Sequence, residues 1–102
     1  MIYQLAVPGP IEDVEEVRVL EWHGAVGKAI APGDLIVELE THKAVVEIRA
    51  GQPGVLRAIL LEAGEWQQLG KPLALLSDAA DEPLTAMPPE DCELLPVDFE
   101  IT

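Results

Sequence analysis

Two apolar, β-branched runs stand out in the first half of the chain, and each alternates in polarity. Residues 35–39 read Leu-Ile-Val-Glu-Leu and residues 45–48 read Val-Val-Glu-Ile. Each has the length and period of a strand with one buried face. Between them lies Glu40-Thr41-His42-Lys43-Ala44, which predicts a hairpin turn with Lys43 at or beside its tip. The same pattern predicts strands at 17–22, 55–61 and 73–76. Residues 55–62 also fit a helical period, but Gly54 and Gly64 bracket a segment of strand length.

The pattern repeats. At an offset of 37 residues, Gly27 falls on Gly64, Gly33 on Gly70 and Leu39 on Leu76. Val19 falls on Leu56, Trp22 on Ile59 and Ile36 on Leu73. Each half is an apolar strand, a glycine, a polar crossing, a second glycine and another apolar strand. Two equal β halves joined by the hairpin predict a pseudo-twofold domain, with Lys43 in the link.

Composition narrows the class. Hydrophobic residues make up 49% of the chain and aromatics only 4%, so the core must be aliphatic, which favours β structure. A net charge of −13 argues against nucleic acid and anionic membranes as partners and fits basic partner surfaces. No apolar run has the roughly 20 residues that span a bilayer. The N-terminus has no basic leader region and soon meets Pro8-Gly9-Pro10. With Cys92 as the single cysteine, no internal disulfide can form, and the expected compartment is the cytoplasm.

Charge also divides the chain. All six basic residues precede residue 72, whereas eight acidic residues and four prolines follow Leu76. Residues 1–77 read as the folded domain and 78–102 as an extended acidic, proline-rich tail. Its apolar stretch at 94–101 can pack on its own domain or on a partner.

Lys43 supports two readings from the residues alone. It is either a solvated turn lysine that keeps the hairpin soluble, or a lysine held on a rigid platform for covalent modification.

Residues 2–77 resemble the lipoyl domain of 2-oxoacid dehydrogenase complexes, within the biotinyl/lipoyl attachment family. The resemblance rests on Glu40-Thr41-His42-Lys43-Ala44, on Gly27 sixteen residues before the lysine, on Gly33-Asp34, and on Gly54-Val55-Leu56. It implies a flattened all-β barrel-sandwich of two four-stranded antiparallel sheets with a quasi-twofold axis. It further implies lipoic acid attached to Lys43, with Glu40, Thr41, His42, Ala44 and Gly27 in ligase recognition. His42 departs from the family, which most often has Asp there. Biotinyl domains set their lysine between methionines, and here the only methionines are Met1 and Met87, so lipoate is favoured over biotin.

The implied partners are a lipoate ligase or lipoyl transferase, and 2-oxoacid dehydrogenase, acyltransferase and dihydrolipoyl dehydrogenase components. The implied role is a non-catalytic carrier, monomeric in isolation and free-standing, without the remainder of an acyltransferase subunit. In lipoyl domains the loop between the first two strands helps partner enzymes choose their substrate. Glu12, Asp13, Glu15 and Glu16 occupy that loop, where the alternative is a solvated acidic loop.

Other features suggest little chemistry. No Cys/His/Asp cluster has metal-ligand spacing along the chain. His23 reads as a surface residue at a strand end. Residues 24–28 lack the phosphate-loop pattern. Trp22 and Trp66 read as core or edge packing, Arg49 and Arg57 as partners of nearby acids, and Cys92 as a free thiol.

Overall fold

Alternating runs bury one face each, and here they do so as two sheets packed face to face. The structure, a computed structural model, describes residues 1–84 and 88–102. The first sheet comprises β3 (Ala29–Ile30), β6 (Gly54–Ile59), β8 (Pro72–Ser77), β1 (Ile2–Ala6) and β9 (Glu93–Leu94), in that order. The second comprises β7 (Trp66–Gln68), β2 (Glu16–Trp22), β4 (Leu35–Glu40), β5 (Val45–Ala50) and β10 (Val97–Ile101). Residues 54–59 form a strand, so the bracketing glycines, not the helical period, describe that segment.

The repeat is physical. In the second sheet Arg18 pairs with Glu40, Val19 with Leu39, Glu21 with Glu38 and Trp22 with Val37, with a bulge after Val19. In the first, Val55 pairs with Ser77, Leu56 with Leu76, Ala58 with Leu75 and Ile59 with Ala74, with a bulge after Leu56. These two ladders match pair for pair at the repeat offset, bulge included. Both exchange strands between sheets by the same device: Gly27 N–H donates to Leu56 O at 2.7 Å, and Gly64 N–H donates to Val19 O at 2.7 Å. Gly27 has φ 99° and Gly64 φ 95°, a backbone region that side chains disfavour.

Burial follows the same symmetry. Val19 and Leu56, Ile36 and Leu73, and Leu39 and Leu76 are all buried. Removing each such side chain from water contributes about 1.5–3 kcal/mol. Trp22 packs at the edge of this core and donates its indole N–H to Leu61 O at 2.8 Å, whereas Trp66 is exposed.

Residues up to Ser77 supply four antiparallel strands to each sheet, and the 78–102 segment adds a fifth to each. Of the two destinations open to its apolar stretch, it takes its own domain. β9 runs parallel to β1, and β10 runs antiparallel to β5. β1 and β5 are twins, because Ile2 faces Ser77 as Val45 faces Glu40. Without the tail both would be open edges with unpaired backbone groups.

Leu95 seals the crossing in the core, and Gln4 donates to the carbonyls of Glu90 and Cys92. Among the described residues, the acid expected beside the Arg57 guanidinium is not found. The guanidinium donates to Ser77 Oγ and to the carbonyls of Ala79 and Glu82, which fixes the start of the tail. Arg49 does lie near Glu47, at 3.9 Å.

Candidate functional site

The hairpin between β4 and β5 is closed at its base by Thr41 N–H donating to Ala44 O at 2.8 Å. The Thr41 hydroxyl oxygen accepts the amides of Ala44 at 2.9 Å and Lys43 at 3.2 Å. A side-chain oxygen thus does the work of a backbone carbonyl, a local bond that suits threonine at a turn. Neither His42 nor Lys43 needs positive φ, so the tip forms without glycine. Thr41 is 5% exposed, while His42 and Lys43 stand clear of the surface. Glu40, at the end of β4, is bound by Arg18 across the strand pair, Nη2 to Oε1 at 2.9 Å.

The loop from β1 to β2 comes alongside. Ile11 and Val14 are buried and form an isolated bridge, which anchors the loop. Between them Asp13 has φ 63°, a conformation aspartate tolerates better than most residues. Asp13 Oδ2 stands 3.7 Å from Lys43 Nζ. Asp13, Val14, Glu15, Glu16, His42 and Trp66 line an open cleft of about 690 Å³ beside the lysine. Three of the four acids singled out from sequence therefore converge with the hairpin. Glu12 is exposed in the same loop but is not part of the cleft wall.

Gly27 bonds to β6, as described above. Its place in the fold is the strand exchange.

Sequence reading missed Trp66 as a wall of the cleft beside the hairpin. It arrives because β7 pairs with β2, setting Trp66 opposite Arg18, which itself holds Glu40. The repeat held that signal, since Trp66 is the twin of Ala29 in β3, whose pairing with Val55 matches that of Trp66 with Arg18. The reading also missed one cluster: Glu21, His23 and Glu38 bring their ligand atoms within 4.8 Å of one another. Linear spacing conceals this proximity, which the pairing of β2 with β4 creates.

Among the described residues, no helix is long and apolar enough to cross a membrane. Cys92 is a free, buried thiol, and burial pushes its pKa up, aided by the nearby charges of Asp91 and Glu90.

What this arrangement offers chemically is one exposed primary amine on a rigid turn, flanked by carboxylates. Known proteins share the frame. The chain is 31% identical over 90 residues to the dihydrolipoyllysine-residue succinyltransferase component of the 2-oxoglutarate dehydrogenase complex of Bacillus subtilis, covering 88% of this chain and 22% of that one. It is 31% identical over 80 residues to the mitochondrial pyruvate dehydrogenase protein X component of Mus musculus, covering 78% of this chain and 16% of that one. Against the corresponding succinyltransferase component of Escherichia coli K12 it is 37% identical over 60 residues, 59% of this chain and 15% of that one. The chain thus spans about a fifth of the length of these curated relatives. Residues 3–76 match the biotin/lipoyl family, described as biotin-requiring enzyme. With two matching β halves, a lysine hairpin linking them and this match over most of its length, the chain belongs to the biotin/lipoyl attachment family.

Proposed function

We propose that Lys43 carries lipoic acid in amide linkage and that the domain presents this arm to the active sites of a 2-oxoacid dehydrogenase-type complex. The observation that carries the proposal is Lys43 at the tip of a turn locked by the Thr41 hydroxyl. The relatives named above, as components of 2-oxoglutarate and pyruvate dehydrogenase complexes, favour lipoate over biotin.

The residues suit the group. The Lys43 side chain is 48% exposed, so an activated acyl group can reach its amine and the product can move freely. A shift of one residue along a strand reverses side-chain direction, so the rigid register of β4 and β5 presents the amine reproducibly. Glu40, His42 and Ala44 flank it as surfaces for a lipoate ligase or lipoyl transferase.

When bound, the dithiolane supplies disulfide redox and acyl-carrying chemistry. The protein contributes tethering, which raises the local concentration of the arm at each partner site. No residue of this chain is asked to catalyse, and its role is that of a carrier. Asp13, Glu15 and Glu16, with Glu12 beside them, form an acidic face through which dehydrogenase and dihydrolipoyl dehydrogenase components discriminate the domain.

The test is intact and peptide mass after separate co-expression with a lipoate ligase and a biotin ligase. A lipoyl increment confined to Lys43 supports the proposal. A biotinyl increment redirects it to carboxyl transfer. Absence of both in a folded sample overturns it and leaves a protein-interaction module.

A further inference from the structure

Strand register places four glutamates side by side across the outer face of the second sheet. Glu21 stands opposite Glu38, Glu38 opposite Glu47, and Glu47 opposite Glu100. Like charges directly opposite one another destabilise a sheet. His23 leads into this row from the end of β2. Its Nε2 lies 2.6 Å from Glu38 Oε1 and 3.8 Å from Glu21 Oε2.

We propose that Glu21, His23 and Glu38 form a binding site for one divalent transition-metal ion, with Zn²⁺ the best-fitting candidate. Imidazole nitrogen and carboxylate oxygen both bind zinc, and three such donors leave a fourth position open to water. Calcium and magnesium prefer all-oxygen shells, so the imidazole selects against them. Zinc bonds of about 2.0–2.2 Å put tetrahedral ligand atoms roughly 3.3 Å apart. The distances around His23 straddle that value, and side-chain rotation closes the difference.

Three features hold the donors in place. The bulge after Val19 re-aims Glu21 onto Glu38. The His23 amide donates to Ile36 O at 2.8 Å, which fixes its backbone on β4. His23 and Glu38 are half-buried, so their side chains are less free than Glu21. Glu47 adds a third negative charge next in the row, with Arg49 Nη2 3.9 Å from it. Lys28 is tied by Nζ to His23 O at 3.0 Å.

The fold supplies its own comparison. At the repeat offset, the twins of Glu21, His23 and Glu38 are Ala58, Leu60 and Leu75. Bulge and register are the same in that half, yet the residues there are apolar. The architecture therefore does not require this charged cluster.

The experiment titrates the full chain with zinc chloride, followed by calorimetry and by histidine ring resonances. The expected result is one saturable ion per chain, with the His23 ring shifting and the His42 ring unmoved. His23→Ala and Glu38→Gln, each checked for unchanged strand content, should weaken binding at least tenfold. Excess magnesium should not compete. The proposal is overturned if binding does not saturate, if both variants bind like the parent, or if His42 responds in place of His23.

Discussion

Asp13 Oδ2 and Lys43 Nζ stand 3.7 Å apart, so the first loop and the lysine hairpin meet through one ion pair. The two residues lie in connections between different strand pairs, β1–β2 and β4–β5, and both are exposed. An exposed pair of this kind contributes about 0–1 kcal/mol. Its value is therefore one of placement and recognition.

Neutralising Asp13 tests that value. Asp13→Asn should leave the unfolding midpoint nearly unchanged. The quadruple replacement of Glu12, Asp13, Glu15 and Glu16 by amides should slow reductive acylation by a partner dehydrogenase, most clearly at low salt, where surface charges are least screened. Steady-state rates on the lipoylated protein check this, and rates equal to the parent would remove the acidic face from recognition.

Thr41 should matter more than its exposed neighbours. Thr41→Ala strips the acceptor from the amides of Lys43 and Ala44 and should cost about 1 kcal/mol. Lipoylation should fall with it, because the tip loses its fixed geometry. Thr41→Ser keeps the hydroxyl and should restore most of the rate. Chemical unfolding and ligation kinetics separate the two effects.

Leu39 and Leu76 occupy matching positions in the two halves, and both are buried. Truncation to alanine should cost about 2–5 kcal/mol at either site. The losses should agree within about 1 kcal/mol if the halves are energetically as well as geometrically matched. Denaturant midpoints of the two variants decide.

The tail has a sensitive crossing point at Gly51. Its amide donates to Pro96 O at 2.9 Å, and a Cβ added there would meet that oxygen at 2.8 Å. Gly51→Ala should weaken tail docking by about 1–3 kcal/mol. Cys92 reports the event, because it is only 6% exposed when the tail is docked. Its reaction with a disulfide reagent should be slow in the parent and faster in Gly51→Ala.

The same thiol gives docking a pH dependence. Burial raises its pKa above the ordinary 9.0, so the docked state favours the neutral form. Its contribution to docking is full below that ordinary value and is lost as pH rises through the raised value. Thiol reactivity measured across alkaline pH should therefore rise more steeply than thiolate formation alone predicts. Cys92→Ser should remove that part of the alkaline loss of tail order.

The sequence by itself determined the strands around the lysine, the repeat and the modification candidate. β4 spans Leu35–Glu40 because alternating polarity has one stable solution at a sheet, with Val37 and Leu39 inside. The repeat was legible because turn glycines and core aliphatics are local requirements, imposed twice by the same geometry. Tertiary structure alone decided what lies next to what. Pairing of β2 with β7 set Trp66 beside Arg18, and pairing of β2 with β4 gathered Glu21, His23 and Glu38. It also decided the fate of the acidic tail, whose composition suited solvent as well as a sheet. Two open twin edges and a pocket for Leu95 settled that choice, and neither exists until β1 and β5 are in place.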